Sequence, residues 1–75
     1  MQQNEREFAK EMIQYCKERI QFYRRFIAQL KKHRSKWEAQ GKKELCVLVD
    51  ENITLAEEAI LAEKREIQRF IKKVR

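Results

Sequence analysis

The chain has 75 residues, 40% of them charged and 43% apolar, with a net charge of +6, a balance expected of long helices with one face in solvent. It contains no apolar run near the ~18–20 residues of a membrane helix, and Met1-Gln2-Gln3-Asn4-Glu5 lacks the basic flank and apolar stretch of a signal peptide. Two cysteines, Cys16 and Cys46, make neither a disulfide framework nor a zinc ligand set, so two buried thiols in a reducing, cytoplasmic compartment are expected.

The first predicted element is a helix over about 4–39. Asparagine is a preferred N-cap, and Glu7 follows Asn4 at capping-box spacing. Apolar residues then recur at steps of three and four, from Phe8 through Met12, Ile13, Tyr15, Cys16, Ile20, Phe22, Tyr23, Phe26, Ile27 and Leu30 to Trp37. Lys31, Lys32, Arg34 and Lys36 complement the negative end of the helix dipole.

Gly41 is the single glycine of a chain without proline. Glycine disfavours helix interiors and supplies the left-handed geometry that ends them, so the spacing predicts a turn at about 40–43. With the turn there, Cys16 lies roughly 30 Å along the axis from Cys46, out of disulfide reach.

A second helix is predicted over about 44–75. Cys46, Val49, Ile53, Ala56, Ile60, Glu63, Ile67, Phe70 and Val74 alternate steps of three and four, with Glu63 the one polar member, which is a coiled-coil repeat. Leu45-Cys46-Val47-Leu48-Val49 also has the composition of a strand, and Thr54 with Glu57 makes a second candidate capping box. The unbroken repeat favours one continuous helix.

Residues 1–75 are therefore read as a single helical-hairpin domain. It is all-α, an antiparallel coiled-coil-like pair of helices that gains a second layer by pairing into a four-helix bundle. Folding at Gly41 sets residue i against about 82 − i, so residues 19–38, with seven cations and one anion, face residues 44–63, with six anions and no cation. Opposed charges of this kind favour one register over its slips, and Arg19 falls opposite Glu63. Much of the basicity is thereby assigned to hairpin formation.

Two surfaces remain as candidate sites. The first helix carries about four apolar positions in seven, wider than a two-stranded seam can cover. With Cys16, Tyr23, Leu30 and Trp37 as one edge of the seam and Met12 and Phe26 as the other, Ile13, Ile20 and Ile27 widen the stripe on one side. Phe8, Tyr15 and Phe22 widen it on the other. Phe8, Met12, Tyr15, Ile20, Phe22, Tyr23, Phe26 and Ile27 are accordingly the expected protein interface, for a homodimer or a heterologous helical partner. The alternative is a nucleic-acid-binding tip made of Lys31, Lys32, Arg34, Lys36, Trp37, Lys42 and Lys43, a cationic turn with one aromatic. No enzyme, metal, cofactor, small-molecule substrate or membrane role is expected: His33 is the lone histidine, and neither a phosphate-binding glycine loop nor a nucleophile–base pair is present. The expected role is a small adaptor, chaperone-like or inhibitory protein. No motif ties the chain to a known family.

Overall fold

In the computed structural model the described residues run from Gln2 to Arg75, with side chains described from Asn4 onward. Two helices account for nearly all of them, α1 (Gln2–Ala39) and α2 (Lys43–Val74). They lie antiparallel in a rod whose Cα extents are 58 × 14 × 13 Å. Residues 45–49 lie inside α2, and no strand occurs among the described residues. Thr54 begins no helix, because α2 runs through it.

Asn4 does not cap α1. The helix is already formed at Gln2, so Asn4 occupies its first turn, and the expected start at residue 4 moves upstream. Capping is a weak preference, about 1 kcal/mol, and it yields when the preceding residues are themselves helical.

The turn is set by Gly41, whose φ of +72° is left-handed. The Lys42 N–H donates to the Trp37 carbonyl at 2.9 Å, and the Gly41 N–H to that of Glu38 at 3.1 Å. These two bonds satisfy carbonyls that the end of α1 would otherwise leave without partners, the Schellman arrangement. α2 starts at once: the Cys46 N–H donates to the Lys42 carbonyl at 3.2 Å. Lys42 supplies no side-chain cap, and Glu44 is the acidic group of the first turn.

The seam between the helices is narrow. Ala9, Cys16 and Ile20 of α1 and Cys46, Val49 and Ala56 of α2 are buried. Ile13, Tyr23, Ile27, Leu30 and Trp37 face them half-buried, as do Ile53, Ile60, Glu63, Ile67, Phe70 and Val74. Every seam position expected on α2 is in place. On α1 the seam is rotated from the expectation: Ile13, Ile20 and Ile27 are part of it, and Phe26 is outside it, 40% exposed. A single partner helix covers only about two positions per heptad. Its most buried side chains are small or β-branched, while Phe8, Phe22 and Phe26 are left to its edge.

Two ion pairs tie the helices in register. Arg19 Nε meets Glu63 Oε1 at 2.8 Å, and Arg34 Nε meets Asp50 Oδ1 at 2.7 Å. Their residue numbers sum to 82 and 84, as a fold at Gly41 requires. The remaining opposed charges of the two spans act across the helices without forming further ion pairs among the described residues. Register is thus held by two pairs and a field.

Candidate interaction surface

Seven residues are close to two helical turns, so side chains seven apart fall on one line along a helix. One flank of the seam is lined by Lys17, Arg24 and Lys64, with Gln14, Glu18 and Gln21 beside them. Toward the turn the same flank continues with Arg34, Glu38 and Asp50. This is the charged flank: Lys10, Lys17, Arg24 and Lys31 form its line on α1, and Asp50, Glu57 and Lys64 its line on α2.

The opposite flank carries an apolar stretch on each helix, toward the open end on α1 and toward the turn on α2. On α1 it carries Phe8, Met12, Tyr15, Arg19, Phe22 and Phe26, at alternating steps of four and three. On α2 it carries Leu45, Leu48, Asn52, Leu55, Ala59 and Ala62, at steps of three and four. Phe8, Tyr15, Phe22, Leu48 and Leu55 are each more than half exposed. Val47 and Leu61 are exposed elsewhere on α2 and stand singly, as apolar residues often do.

Arg19 organises the aromatic part of this flank. While Nε binds Glu63, its Nη2 donates to the Tyr23 hydroxyl at 2.7 Å and its Nη1 to the Tyr15 hydroxyl at 3.4 Å. The guanidinium lies 5.6 Å from the Tyr15 ring centroid and 5.5 Å from that of Tyr23, within the range of a cation–π contact. Phe22 meets Tyr23 edge-on at 5.7 Å and stacks on Phe26 at 6.5 Å. At the open end Phe8 packs edge-on against Phe70 of α2 at 6.1 Å. The result is a row of aromatic rings whose central charge, Arg19, is paired within the hairpin, with Lys73 lying 5.9 Å over the Phe70 ring at the open end. The bond to Glu63, followed by that to Tyr15, raises the Arg19 pKa further above its ordinary value.

The residues expected at the protein interface are divided by the structure. Phe8, Tyr15, Phe22 and Phe26 are exposed, Met12 is half-buried beside them, and all five share the aromatic flank. Ile20 is 6% exposed between the helices, and Tyr23 and Ile27 are half-buried in the seam, so Ile20 offers nothing to a second molecule. Leu45, Leu48 and Leu55 were outside the expected set. Their signal was a second three-and-four spacing on α2, overshadowed by the stronger seam.

The basic tip is less open than its composition implies. Arg34 is held by Asp50 and also by Glu38 at 2.7 Å, and the bond to Asp50 raises its pKa. Trp37 is half-buried and stacks on His33 with centroids 5.3 Å apart. Lys31, Lys32, Lys36, Lys42 and Lys43 are exposed and have no ion-pair partner among the described residues. Glu38 and Asp50 share a groove with Lys42 and Lys43, which lowers the positive potential there.

The thiols are enclosed. Cys16 and Cys46 are free and buried. Burial, with the nearby carboxylates of Glu63 and Glu66, pushes the Cys16 thiol up to about 11, so it stays protonated and a poor nucleophile near neutral pH. Among the described residues no three histidine, cysteine, aspartate or glutamate side chains are placed to hold a metal ion, and no helix is long and apolar enough to cross a membrane. No family model matches the chain, and no curated protein or solved structure matches it.

Proposed function

We propose that this protein is a small, non-enzymatic interaction module that binds another protein surface, a second hairpin or a foreign amphipathic helix, through its aromatic flank. The observation that carries the proposal is the gathering of Phe8, Tyr15, Phe22 and Phe26 on one side of the seam, all substantially exposed, with Arg19, the charge among them, already paired to Glu63. Monomeric proteins seldom leave so contiguous an apolar strip in water, and the hairpin has no third element to cover it. A four-helix bundle made of two hairpins would supply the missing layer. Two enclosed thiols suit a reducing, cytoplasmic setting.

Substitutions on the two flanks test the assignment. Complex formation, with itself or with a co-purifying protein, is followed by light scattering for Phe8→Glu, Tyr15→Glu and Phe22→Glu against Lys17→Glu, Arg24→Glu and Lys31→Glu. The aromatic set should abolish the complex and the cationic set should leave it. The reverse pattern would refute the proposal. Binding of a polyanion at the turn is the second reading, favoured by the five exposed lysines there. It requires nucleic-acid affinity that falls steeply with salt and is lost in a Lys31, Lys32, Lys42 and Lys43 replacement.

A further inference from the structure

We infer that the occupant of the aromatic flank is a second copy of this chain, with the α1 stripe of one copy lying antiparallel on the α1 stripe of the other around Tyr15 and Arg19. This rests on the aromatic flank being a protein-binding surface, and adds which protein binds and in which direction.

The stripe is palindromic in its spacing. Phe8, Met12, Tyr15, Arg19, Phe22 and Phe26 are separated by four, three, four, three and four residues, the same read in either direction. An antiparallel overlay in which residue numbers sum to 34 puts Phe8 on the partner's Phe26, Met12 on the partner's Phe22 and Tyr15 on the partner's Arg19. Every layer then joins a large apolar side chain to another, or an arginine to a tyrosine ring. A parallel overlay stacks Arg19 on its own copy, setting two like charges together in an apolar seam, which is costly. The antiparallel layer repeats across the interface the Arg19–Tyr15 contact that each hairpin already makes. Arg19 enters this interface already paired with Glu63, so no uncompensated charge is buried.

The charges along the edge of the stripe agree with that direction. Glu11, Glu18 and Arg25 follow it at seven-residue intervals. In the overlay Glu11 lies by the partner's Arg25, an arrangement that symmetry repeats, and Glu18 alone faces its own copy near the two-fold axis. Surface area gives an independent reason for a partner. The chain exposes 6211 Å², whereas a compact monomer of 9.2 kDa exposes about 4,900 Å². The excess is about 1,300 Å² per chain, and a standard interface takes ~800 Å² from each partner.

Sedimentation equilibrium on the full chain tests the pairing, with circular dichroism to confirm that each variant keeps its helices. The wild type should be a dimer and Phe22→Glu a monomer. Arg25→Glu should weaken the dimer roughly tenfold, and Glu11→Arg together with Arg25→Glu should recover it to within about threefold. Glu18→Gln, which removes the one like-charge contact, should tighten it. A wild type still monomeric at about 0.1 mM overturns the second-copy proposal and leaves the flank free for a different protein. A dimer indifferent to Phe22→Glu overturns both the second-copy pairing and the assignment of the flank. A dimer lost in Phe22→Glu but not recovered by the charge exchange overturns the antiparallel pairing alone.

Discussion

The two flanks of the hairpin border the same seam and are built on the same two helices, yet they have opposite chemistry. On one, Lys10, Lys17, Arg24 and Lys31 face Asp50, Glu57 and Lys64; on the other, Phe8, Tyr15, Phe22 and Phe26 share a side with Leu45, Leu48 and Leu55. The charged flank is complete in the isolated chain, because its groups are satisfied by water and by one another. The aromatic flank instead leaves large apolar side chains in water. Both flanks contribute to register, the first through Arg34–Asp50 and the second through Arg19–Glu63.

The sharpest test sets the seam against the aromatic flank. Ile20 is 6% exposed and Phe22, two residues away, is 57% exposed. Ile20→Ala should destabilise the hairpin by ~2–4 kcal/mol, since it removes buried methyl groups and leaves a void. Phe22→Ala, measured at a concentration too low for association, should change it by less than about 0.5 kcal/mol. Urea unfolding followed by circular dichroism distinguishes the two. Comparable losses would mean that Phe22 belongs to the fold, and the division between seam and flank would collapse.

A change at the turn loosens both flanks together. Gly41 is left-handed, and a Cβ placed on it would meet nothing within 4 Å, so the penalty for a side chain is one of backbone conformation alone. Gly41→Ala should cost about 1–2 kcal/mol, and Gly41→Asn less, because asparagine tolerates this region. Thermal unfolding of the two variants at one concentration checks the order. Equal losses would mean that steric crowding at the tip, not φ, sets the penalty.

The contrast between the flanks also explains what was legible in the sequence. Gly41 and the three-and-four spacing of α2 are enough for the hairpin, and the sum of 82 sets Arg19 opposite Glu63 from the sequence alone. α1 was harder. With about four apolar positions in seven, spacing alone cannot say which two face the partner helix. The buried positions of α1 are taken by small and β-branched residues, Ala9, Cys16 and Ile20, while Phe22 and Phe26 stay outside. Ile20, expected at the protein interface, is instead buried, and Phe26, expected at both the seam edge and the interface, lies outside the seam. The leucines of α2 stand out less because their line is broken at Asn52 and ends in Ala59 and Ala62, whereas the seam beside them runs on to Val74.

The smallest effect concerns the charged flank, where sign matters more than size. Lys17, Arg24 and Lys64 line one groove; the register sets Lys17 opposite Lys64, which repels it, and Arg24 opposite Glu57 and Glu58. Lys17→Glu should therefore stabilise the hairpin and Arg24→Glu destabilise it, each by at most about 1 kcal/mol, as for exposed pairs generally. Both differences should shrink as salt is raised, because groups this exposed are screened over about 10 Å at 0.1 M. Neither substitution touches the aromatic row, so neither should alter association at a fixed degree of folding. Thermal unfolding at low and high salt, combined with light scattering, reads both quantities. Opposite signs in stability with unchanged association would confine the charges to register. If association followed the charge of this flank, the partner would have to lie on both sides of the seam, and the aromatic row would be half of a larger surface.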